Sequence, residues 1–144
     1  MAKLLYLSKK TRPDILTLAA FLNTRVQSPT EDGRAKVHRG MGYIIGTVGS
    51  SPTLEVEGPI RVTAYVDASF ATHNSDMKSH TGVFITLGKG AFYCRLSKQK
   101  LVTKSSTEAE LVGNSDAPSQ IIWFKHFLEA QGYPIMPAHI WEDN

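Results

Sequence analysis

Apolar residues in the first third of the chain recur at helical spacing. This spacing predicts a helix whose buried face would carry Ile15, Leu18, Ala19 and Leu22. Its start lies in residues 12–14, Arg-Pro-Asp, because proline is tolerated in a first helical turn and aspartate complements the helix dipole there. A second helix is predicted to start in residues 28–32 and to run to about Ile45, and Gly40 and Gly42 are expected to weaken it.

The pattern changes to strict alternation after residues 46–53, a loop rich in glycine and serine that is the expected domain boundary. In the strand that follows, Val62, Ala64 and Val66 point to one face and Asp67 points to the other. Two more strands are predicted at residues 81–88 and 91–97, with a tight turn at residues 88–90. Short connections of this kind indicate an antiparallel meander.

A long helix is predicted next, from residue 105 to about Ala130, and Pro118 should kink or split it. Residues 138–142 then form a short strand, which a right-handed crossover would place parallel to the first. The pattern therefore predicts a mixed α/β fold. Both parallel strands would end at one sheet edge, where sites of open α/β sheets collect. The aromatic residues of the last helix and strand are expected in the core: Trp123, Phe124, Phe127 and Trp141.

Composition narrows the class of protein only modestly. Of the 144 residues, 42 % are hydrophobic and 20 % are charged, which is typical of one globular core. The formal net charge of +3 favours an anionic partner only weakly. Cys94 stands alone, which excludes an internal disulfide and fits a reducing compartment. No apolar run approaches the ~18 residues of a membrane span, and the first ten residues are a poor signal peptide.

Four carboxylates are candidates for chemistry: Asp67, Glu108, Glu110 and Asp143. Carboxylates repel one another unless a cation lies between them, and hard oxygen ligands select magnesium or manganese. The spacing leaves other interpretations open. Asp67 could form a turn, either glutamate could belong to a capping box with Ser105 or Thr107, and Asp143 could be solvated.

Five segments in order resemble the ribonuclease H domain of copia-type LTR retrotransposon Pol polyproteins. They are YVDASFA at 65–71, DMKSHTG at 76–82, SKQKLVTKSSTEAELVG at 97–113, IIWFKHFL at 121–128 and IWEDN at 140–144. The earlier segments KLLYLSKKTRPDI and SPTEDGRAKVHRGMGYIIGT resemble the connection between the reverse transcriptase and that domain. The resemblance covers nearly the whole chain. It implies a helical connection at residues 1–53 and a ribonuclease H-like domain, incomplete at its C-terminus, at residues 54–144.

The resemblance implies a sheet of three antiparallel strands, a helix and a fourth strand parallel to the first. It also implies a site with two Mg²⁺ or Mn²⁺ ions, held by Asp67, Glu110 and Asp143. Glu110 is preferred because it directly precedes an apolar residue, as in the family. It lies about 200° around the helix from Glu108, so both cannot face one ion pair. Glu108 would then cap the helix.

The implied activity is two-metal hydrolysis of the RNA strand in an RNA–DNA hybrid. The protein would recognise the shape of the hybrid through contacts with its sugar–phosphate backbone. The side chains expected to contact that backbone are Lys78, Ser79, Lys98, Gln99 and Lys104; a solvated face is the alternative for the lysines. The reverse transcriptase domain of the same polyprotein is the expected protein partner. The resemblance also implies an intracellular setting, in a cytoplasmic virus-like particle or the nucleus, with no membrane partner.

In the family, a helix, a strand and a last helix with a fourth acidic residue follow the Asp-Asn pair. We therefore expect this chain alone to be a weak or inactive nuclease, with an uncovered sheet edge through which two chains could pair. The alternative is a noncatalytic ribonuclease H-like module, or a retroelement remnant, that binds nucleic acid or protein.

Overall fold

The N-terminal part of the chain is helical in the computed structural model. Its elements are α1 (Ala2–Lys10), a 3-10 turn (Pro13–Ile15), α2 (Leu16–Asn23) and α3 (Glu31–Gly46). The two predicted helices are confirmed: Pro13 opens the turn before α2, and the Thr30 hydroxyl caps α3 by accepting the Gly33 N–H at 3.1 Å. Helix α1 was not predicted, because the pattern there is short and is broken by lysines.

Helix α2 buries the predicted apolar face, with Ile15, Ala19 and Leu22 nearly inaccessible to solvent. Gly40 of α3 is buried beside Leu18, and a Cβ atom at this position would overlap the Leu18 side chain. The glycine that was expected to weaken α3 therefore lets α2 and α3 approach each other.

The chain divides into two compact units, Met1–Pro52 and Thr53–Asn144, which we call the helical unit and the sheet unit. The structure describes residues 1–56, 58–73 and 76–142, and of His73 the backbone alone. None of the helices described in these ranges is long and apolar enough to cross a bilayer.

Among its described residues, the sheet unit contains six strands in two sheets. They are β1 (Glu55–Val56), β2 (Arg61–His73), β3 (Lys78–Thr86), β4 (Gly88–Lys89), β5 (Ala91–Lys98) and β6 (Met136–Glu142). Strands β1 and β4 form a small ladder, and the main sheet has the order β5-β3-β2-β6. Strands β2, β3 and β5 pair antiparallel, whereas β6 is parallel to β2. The predicted mixed α/β fold is confirmed, and its element order is compatible with a ribonuclease H-like arrangement.

Two helices connect the meander to the parallel strand: α4 (Ser106–Asp116) and α5 (Pro118–Ala130). The predicted long helix is therefore split at Pro118, which lacks the backbone N–H needed to continue α4. The core between helices and sheet contains a buried set from both layers: Val62, Ala64, Val66, Val83, Ile85, Ala117 and Ile121. The alternation in β2 therefore predicted its buried face correctly.

Three aromatic residues expected in the core lie at the surface instead. Trp123, Phe127 and Trp141 are 57 %, 48 % and 56 % exposed. Helix α5 contacts the core through Ile121 and Phe124, and Trp123 and Phe127 stack on each other outside that contact, with ring centroids 5.5 Å apart. The prediction was wrong because helical spacing alone does not show which of two adjoining apolar stripes faces the sheet.

Candidate functional site

Asp67 lies on β2 and pairs with Gly82 of β3. Its side chain is exposed on the face opposite the buried Val66, as alternation requires. Strand β2 continues to His73, so Asp67 is inside the strand rather than at its end. The parallel partner, however, is described only as far as Glu142, which pairs with Val66. Asp67 is therefore the first residue of β2 beyond the described pairing with β6.

Glu110 lies on α4, directly after the buried Ala109, and is half-buried. One turn further on, Gly113 brings α4 against β2 and β3: a Cβ there would lie 3.5 Å from Val66 and 3.3 Å from Thr81. The helix carrying Glu110 thus crosses the sheet at the residue next to Asp67.

Glu108 caps helix α4, as predicted. The Ser105 hydroxyl accepts the Glu108 N–H at 3.2 Å, and a Glu108 carboxylate oxygen accepts the Lys104 N–H at 2.7 Å. Because Glu108 serves as the cap, Glu110 is available for another role. The side chains of Asp67 and Glu110 make no hydrogen bond or ion pair with another described residue.

The third predicted carboxylate, Asp143, lies outside the described residues. Its neighbour Glu142 pairs with Val66, the neighbour of Asp67. Among the residues that the structure describes, no three histidine, cysteine or acidic side chains are grouped to hold a metal ion. The set of Asp67, Glu110 and Asp143 therefore stays a prediction, and its all-oxygen donors suit a hard divalent cation.

Two of the five predicted nucleic-acid contacts have structural roles. Gln99 is buried, and its side-chain amide donates to the Thr81 hydroxyl at 2.9 Å and to the Ala109 carbonyl at 2.8 Å. Ser79 is fully buried, and its hydroxyl lies 2.9 Å from that of Thr103. Both side chains are thus engaged inside the protein, and their contact with a nucleic acid stays a prediction.

These buried hydrogen bonds fix the start of α4 against β3, and through it the helix that carries Glu110. Thr81 and Thr103 are the residues of this network that sequence reasoning missed. The available signal was that Ser79 and Thr81 alternate with more exposed residues in a strand, which places them on its buried face.

The three predicted lysines differ in their surroundings. Lys98 forms an ion pair with Asp76 at 2.6 Å, and its hydrogen bond lowers the pKa of the Asp76 carboxyl below the usual range. Lys78 is half-buried and Lys104 is exposed. Contact of any of them with a nucleic acid remains a prediction.

The face of the sheet that carries Asp67 also carries exposed aromatic side chains. Tyr65 pairs with Phe84 of β3 and with Trp141 of β6, and the three are 49 %, 39 % and 56 % exposed. The rings of Tyr65 and Phe84 meet edge to face, with centroids 6.1 Å apart. The helices α4 and α5 cover the opposite face, where the core residues lie.

Comparison with known proteins relates the chain to retroelements. It is 30 % identical over 132 residues to the retrovirus-related Pol polyprotein of transposon TNT 1-94 from Nicotiana tabacum, which is 92 % of this chain and 10 % of that protein. It is 31 % identical over 135 residues to the corresponding polyprotein of transposon RE1 from Arabidopsis thaliana, which is 93 % of this chain and 9 % of that protein.

A third relative is much shorter. The secreted RxLR effector protein 161 of Plasmopara viticola is 27 % identical over 120 residues, which is 83 % of this chain and 84 % of that protein. No protein-family profile and no solved structure matches the chain. Over most of its length the chain is thus a homologue of retrotransposon Pol polyproteins, of which it spans about a tenth.

Proposed function

We propose that the chain is the ribonuclease H-type region of a retrotransposon Pol polyprotein, which hydrolyses the RNA strand of RNA–DNA hybrids. In this proposal the helical unit corresponds to the connection from the reverse transcriptase domain, its partner in the same polyprotein. The support comes from the similarity to Pol polyproteins and from the order of the strands in the main sheet.

The observation that carries the proposal is the register of the two parallel strands. Val66 pairs with Glu142, and each directly precedes a predicted metal ligand, Asp67 or Asp143. Helix α4 packs against Val66 through Gly113, one turn after Glu110, on the face of the sheet opposite the Asp67 side chain. In the proposal, Asp67, Glu110 and Asp143 together would hold two divalent ions, which when bound activate a water molecule and stabilise the leaving oxygen.

The residues of this chain have distinct tasks in the proposal. The Asp67 and Glu110 carboxylates have no described partner that neutralises their negative charge, so both would bind a cation through their oxygens. Gln99 holds the N-terminal half of α4 to β3, which positions Glu110. Lys78 and Lys104 are the exposed or half-exposed cations that could meet phosphates of the hybrid.

Metal-linked melting of the purified chain tests the proposal. An ion that binds only the native state raises the melting temperature by mass action. We expect Mg²⁺ or Mn²⁺ to raise it for the wild type, and Asp67→Asn or Glu110→Gln to remove the rise. Glu108→Gln is the matched control, because it removes a carboxylate from the same helix while the glutamine oxygen can still accept the Lys104 N–H, so the effect of the metal should not change.

Cleavage of a hybrid labelled on the RNA strand then measures turnover. The expected result is metal-dependent cleavage that Asp67→Asn abolishes, even if the rate of this chain alone is low. Absence of both the metal effect and cleavage would contradict the proposal. Equal binding of hybrid and duplex DNA, with a steep dependence on salt, would instead indicate a purely electrostatic binder.

A noncatalytic module is the second candidate, and the relative from Plasmopara viticola is the observation that favours it. That protein, named a secreted effector, is matched over 84 % of its length, so a chain of about this extent occurs without the rest of Pol. In this alternative, Asp67→Asn changes neither metal-linked melting nor binding of nucleic acid or protein.

A further inference from the structure

The helical unit contains a cleft that the proposed nuclease activity does not use. It has a volume of about 660 Å³ and lies between α2 and α3. Its apolar wall is formed by Ile15, Leu18 and Phe21, and its rim includes Thr17, Lys36, Arg39 and Tyr43. Cavities of ~300–1,000 Å³ with apolar walls and a few polar groups are the usual size of ligand sites.

Two cations, Lys36 and Arg39, line this cleft, and a third, Arg25, lies against the ring of Phe21 in its wall. The guanidinium of Arg25 lies 4.3 Å from the centre of the Phe21 ring, and the Lys36 ammonium lies 4.9 Å from it. Arg39 lines the cleft one turn after Lys36 on α3. Positive charge is therefore gathered around an apolar opening.

The carboxylates near the cleft are already paired. Asp14 on the rim is bound by Arg12 at 2.7 Å, and Asp32 is bound by Lys36 at 2.6 Å. The Arg39 side chain makes no hydrogen bond or ion pair with a described residue, and the Arg25 guanidinium lies over the Phe21 ring without an ion pair, although its charge also acts on Asp32. The two arginines thus offer charge that the described part of the chain does not satisfy.

The charge of the whole unit has the same sign. Residues 1–52 contain eight Lys and Arg against three Asp and Glu, whereas residues 53–144 contain eight against ten. The positive charge of the chain is therefore concentrated in the helical unit, which suits a partner with many negative charges. A single carboxylate ligand would use only one of the available cations.

We propose that the cleft between α2 and α3 binds an unpaired nucleotide of a single-stranded nucleic acid. The base enters the apolar cleft beside Leu18 and Tyr43, and the neighbouring phosphates lie at Arg39 and Arg25. Proteins that bind single strands combine a positively charged groove with apolar or aromatic surfaces for the bases. The site is separate from the carboxylates of the sheet unit, so it does not rest on the nuclease proposal.

Fluorescence anisotropy of the whole chain with a labelled single-stranded oligothymidine tests this site. Arg39→Ala should weaken binding about tenfold, a typical effect of losing one good contact to a strand. Arg34→Ala is the matched control, since it removes the same charge from an exposed position of α3 that does not line the cleft. Equal weakening by both variants would overturn the site and leave only general electrostatic attraction.

Two further measurements examine the base itself. An abasic strand of equal length keeps the phosphates and should bind about tenfold more weakly than oligothymidine. Equal binding of the two strands would overturn the role of the cleft.

Thr17→Trp, at an exposed position of the rim, should fill the cleft and weaken oligothymidine binding while abasic binding is unchanged. Circular dichroism melting checks that each variant folds. If Thr17→Trp does not fold, the comparison of Arg39→Ala with Arg34→Ala decides whether the cleft is the binding site.

An acidic peptide is the competing occupant. If a polyglutamate peptide binds as tightly as oligothymidine and Thr17→Trp blocks both, the cleft belongs to an acidic protein partner and the proposal is overturned. Arg39→Ala should leave the effect of Mg²⁺ on the melting temperature unchanged, so that failure at the cleft and failure at the nuclease site are seen separately.

Discussion

Gln99 shows how a polar residue can serve a candidate site without touching a ligand. It follows β5 directly, and its backbone N–H donates to the Ser79 carbonyl at 2.8 Å. Its side chain joins Thr81 of β3 to the Ala109 carbonyl of α4. Because buried polar groups are costly when unpaired, these bonds hold the start of α4 in one place.

Replacing Gln99 by alanine should therefore destabilise the sheet unit. The change leaves the Thr81 hydroxyl and the Ala109 carbonyl without the partner they have in the native structure, at a cost of about 1–3 kcal/mol in the free energy of unfolding. Urea denaturation followed by tryptophan fluorescence measures this cost. Lys104→Ala, at an exposed position, should change the same free energy by no more than ~0.5 kcal/mol. Equal stabilities for the two variants would show that the network is dispensable.

Sequence reasoning succeeded for Glu108 and failed for Gln99 for one physical reason. A capping box is a local interaction between residues three positions apart, so its pattern is visible in the chain. The partners of Gln99 lie 18 and 10 positions away, and only the fold brings them together. The prediction that Ser79 and Gln99 touch nucleic acid came from their type and position, and their burial in the protein was not visible from spacing.

Arg12 is a second buried polar residue, and it gives the helical unit a pH dependence. Its guanidinium donates to Asp14 at 2.7 Å and to the Thr47 carbonyl at 3.0 Å. The hydrogen bond from Arg12 lowers the pKa of the Asp14 carboxyl below its ordinary 3.8, and the Tyr43 hydroxyl lowers it further. The ionised form of Asp14 is therefore favoured by folding.

The stabilisation by Asp14 is complete above its unfolded pKa and is lost as pH falls through the lower folded value. At neutral pH the wild type should melt at a higher temperature than Asp14→Asn. This gap should close progressively below about pH 4, near the unfolded pKa of aspartate. Circular dichroism melts from pH 7 to pH 2 measure it, and a gap that stays constant over this range would contradict the assigned ion pair.

At the scale of elements, two glycines of α3, Gly40 and Gly42, have different surroundings. A Cβ at Gly40 would overlap the Leu18 side chain, whereas a Cβ at Gly42 would meet nothing within 4 Å. Both substitutions by alanine improve helix propensity equally. Their difference in stability therefore isolates the contact between α2 and α3.

Gly42→Ala should stabilise the helical unit by about 0.5–1 kcal/mol, because alanine replaces glycine at an open position of a helix. Gly40→Ala should lose this gain, because Leu18 must move to admit the new methyl group. Denaturant titration followed by circular dichroism at 222 nm compares the two variants. Equal stabilisation by both would mean that α2 and α3 do not pack closely at Gly40.

The elements that the sequence predicted are those with a regular pattern or a strong breaker. The alternation in β2, the start of α3 and the break at Pro118 all match the structure. Helix α1 and the ladder of β1 with β4 were missed, because each is short. The length of β2 was underestimated: its register with β3 shifts between Ser69 and His73, a change that the alternation does not show.

At the scale of the whole molecule, the candidate site depends on pairing between distant segments. Parallel strands joined by a helix predicted that Asp67 and Asp143 come from neighbouring strands, and the pairing of Val66 with Glu142 agrees with that order. Which side chains converge on an ion depends on twist and strand ends, and neither follows from spacing. Asp143 also lies outside the described residues, so the metal-linked melting experiments are the test of the three predicted ligands.

The division into two units leads to a prediction about cooperativity. Each unit has its own buried residues, Ile15 and Ala19 in one and Val62 and Ile85 in the other. Both tryptophans, Trp123 and Trp141, belong to the sheet unit. Tryptophan fluorescence therefore reports on that unit alone, whereas circular dichroism at 222 nm reports on helices in both.

Ile85→Ala should lower the free energy of unfolding seen by fluorescence by about 2–5 kcal/mol, the usual cost of removing a fully buried isoleucine side chain. If the units unfold independently, the circular dichroism transition will broaden into two steps, and only the step that coincides with fluorescence will move. Gly42→Ala should have the reverse effect, moving the other step and leaving fluorescence unchanged. A single transition that shifts by the same amount for both probes and both variants would show that the two units unfold as one.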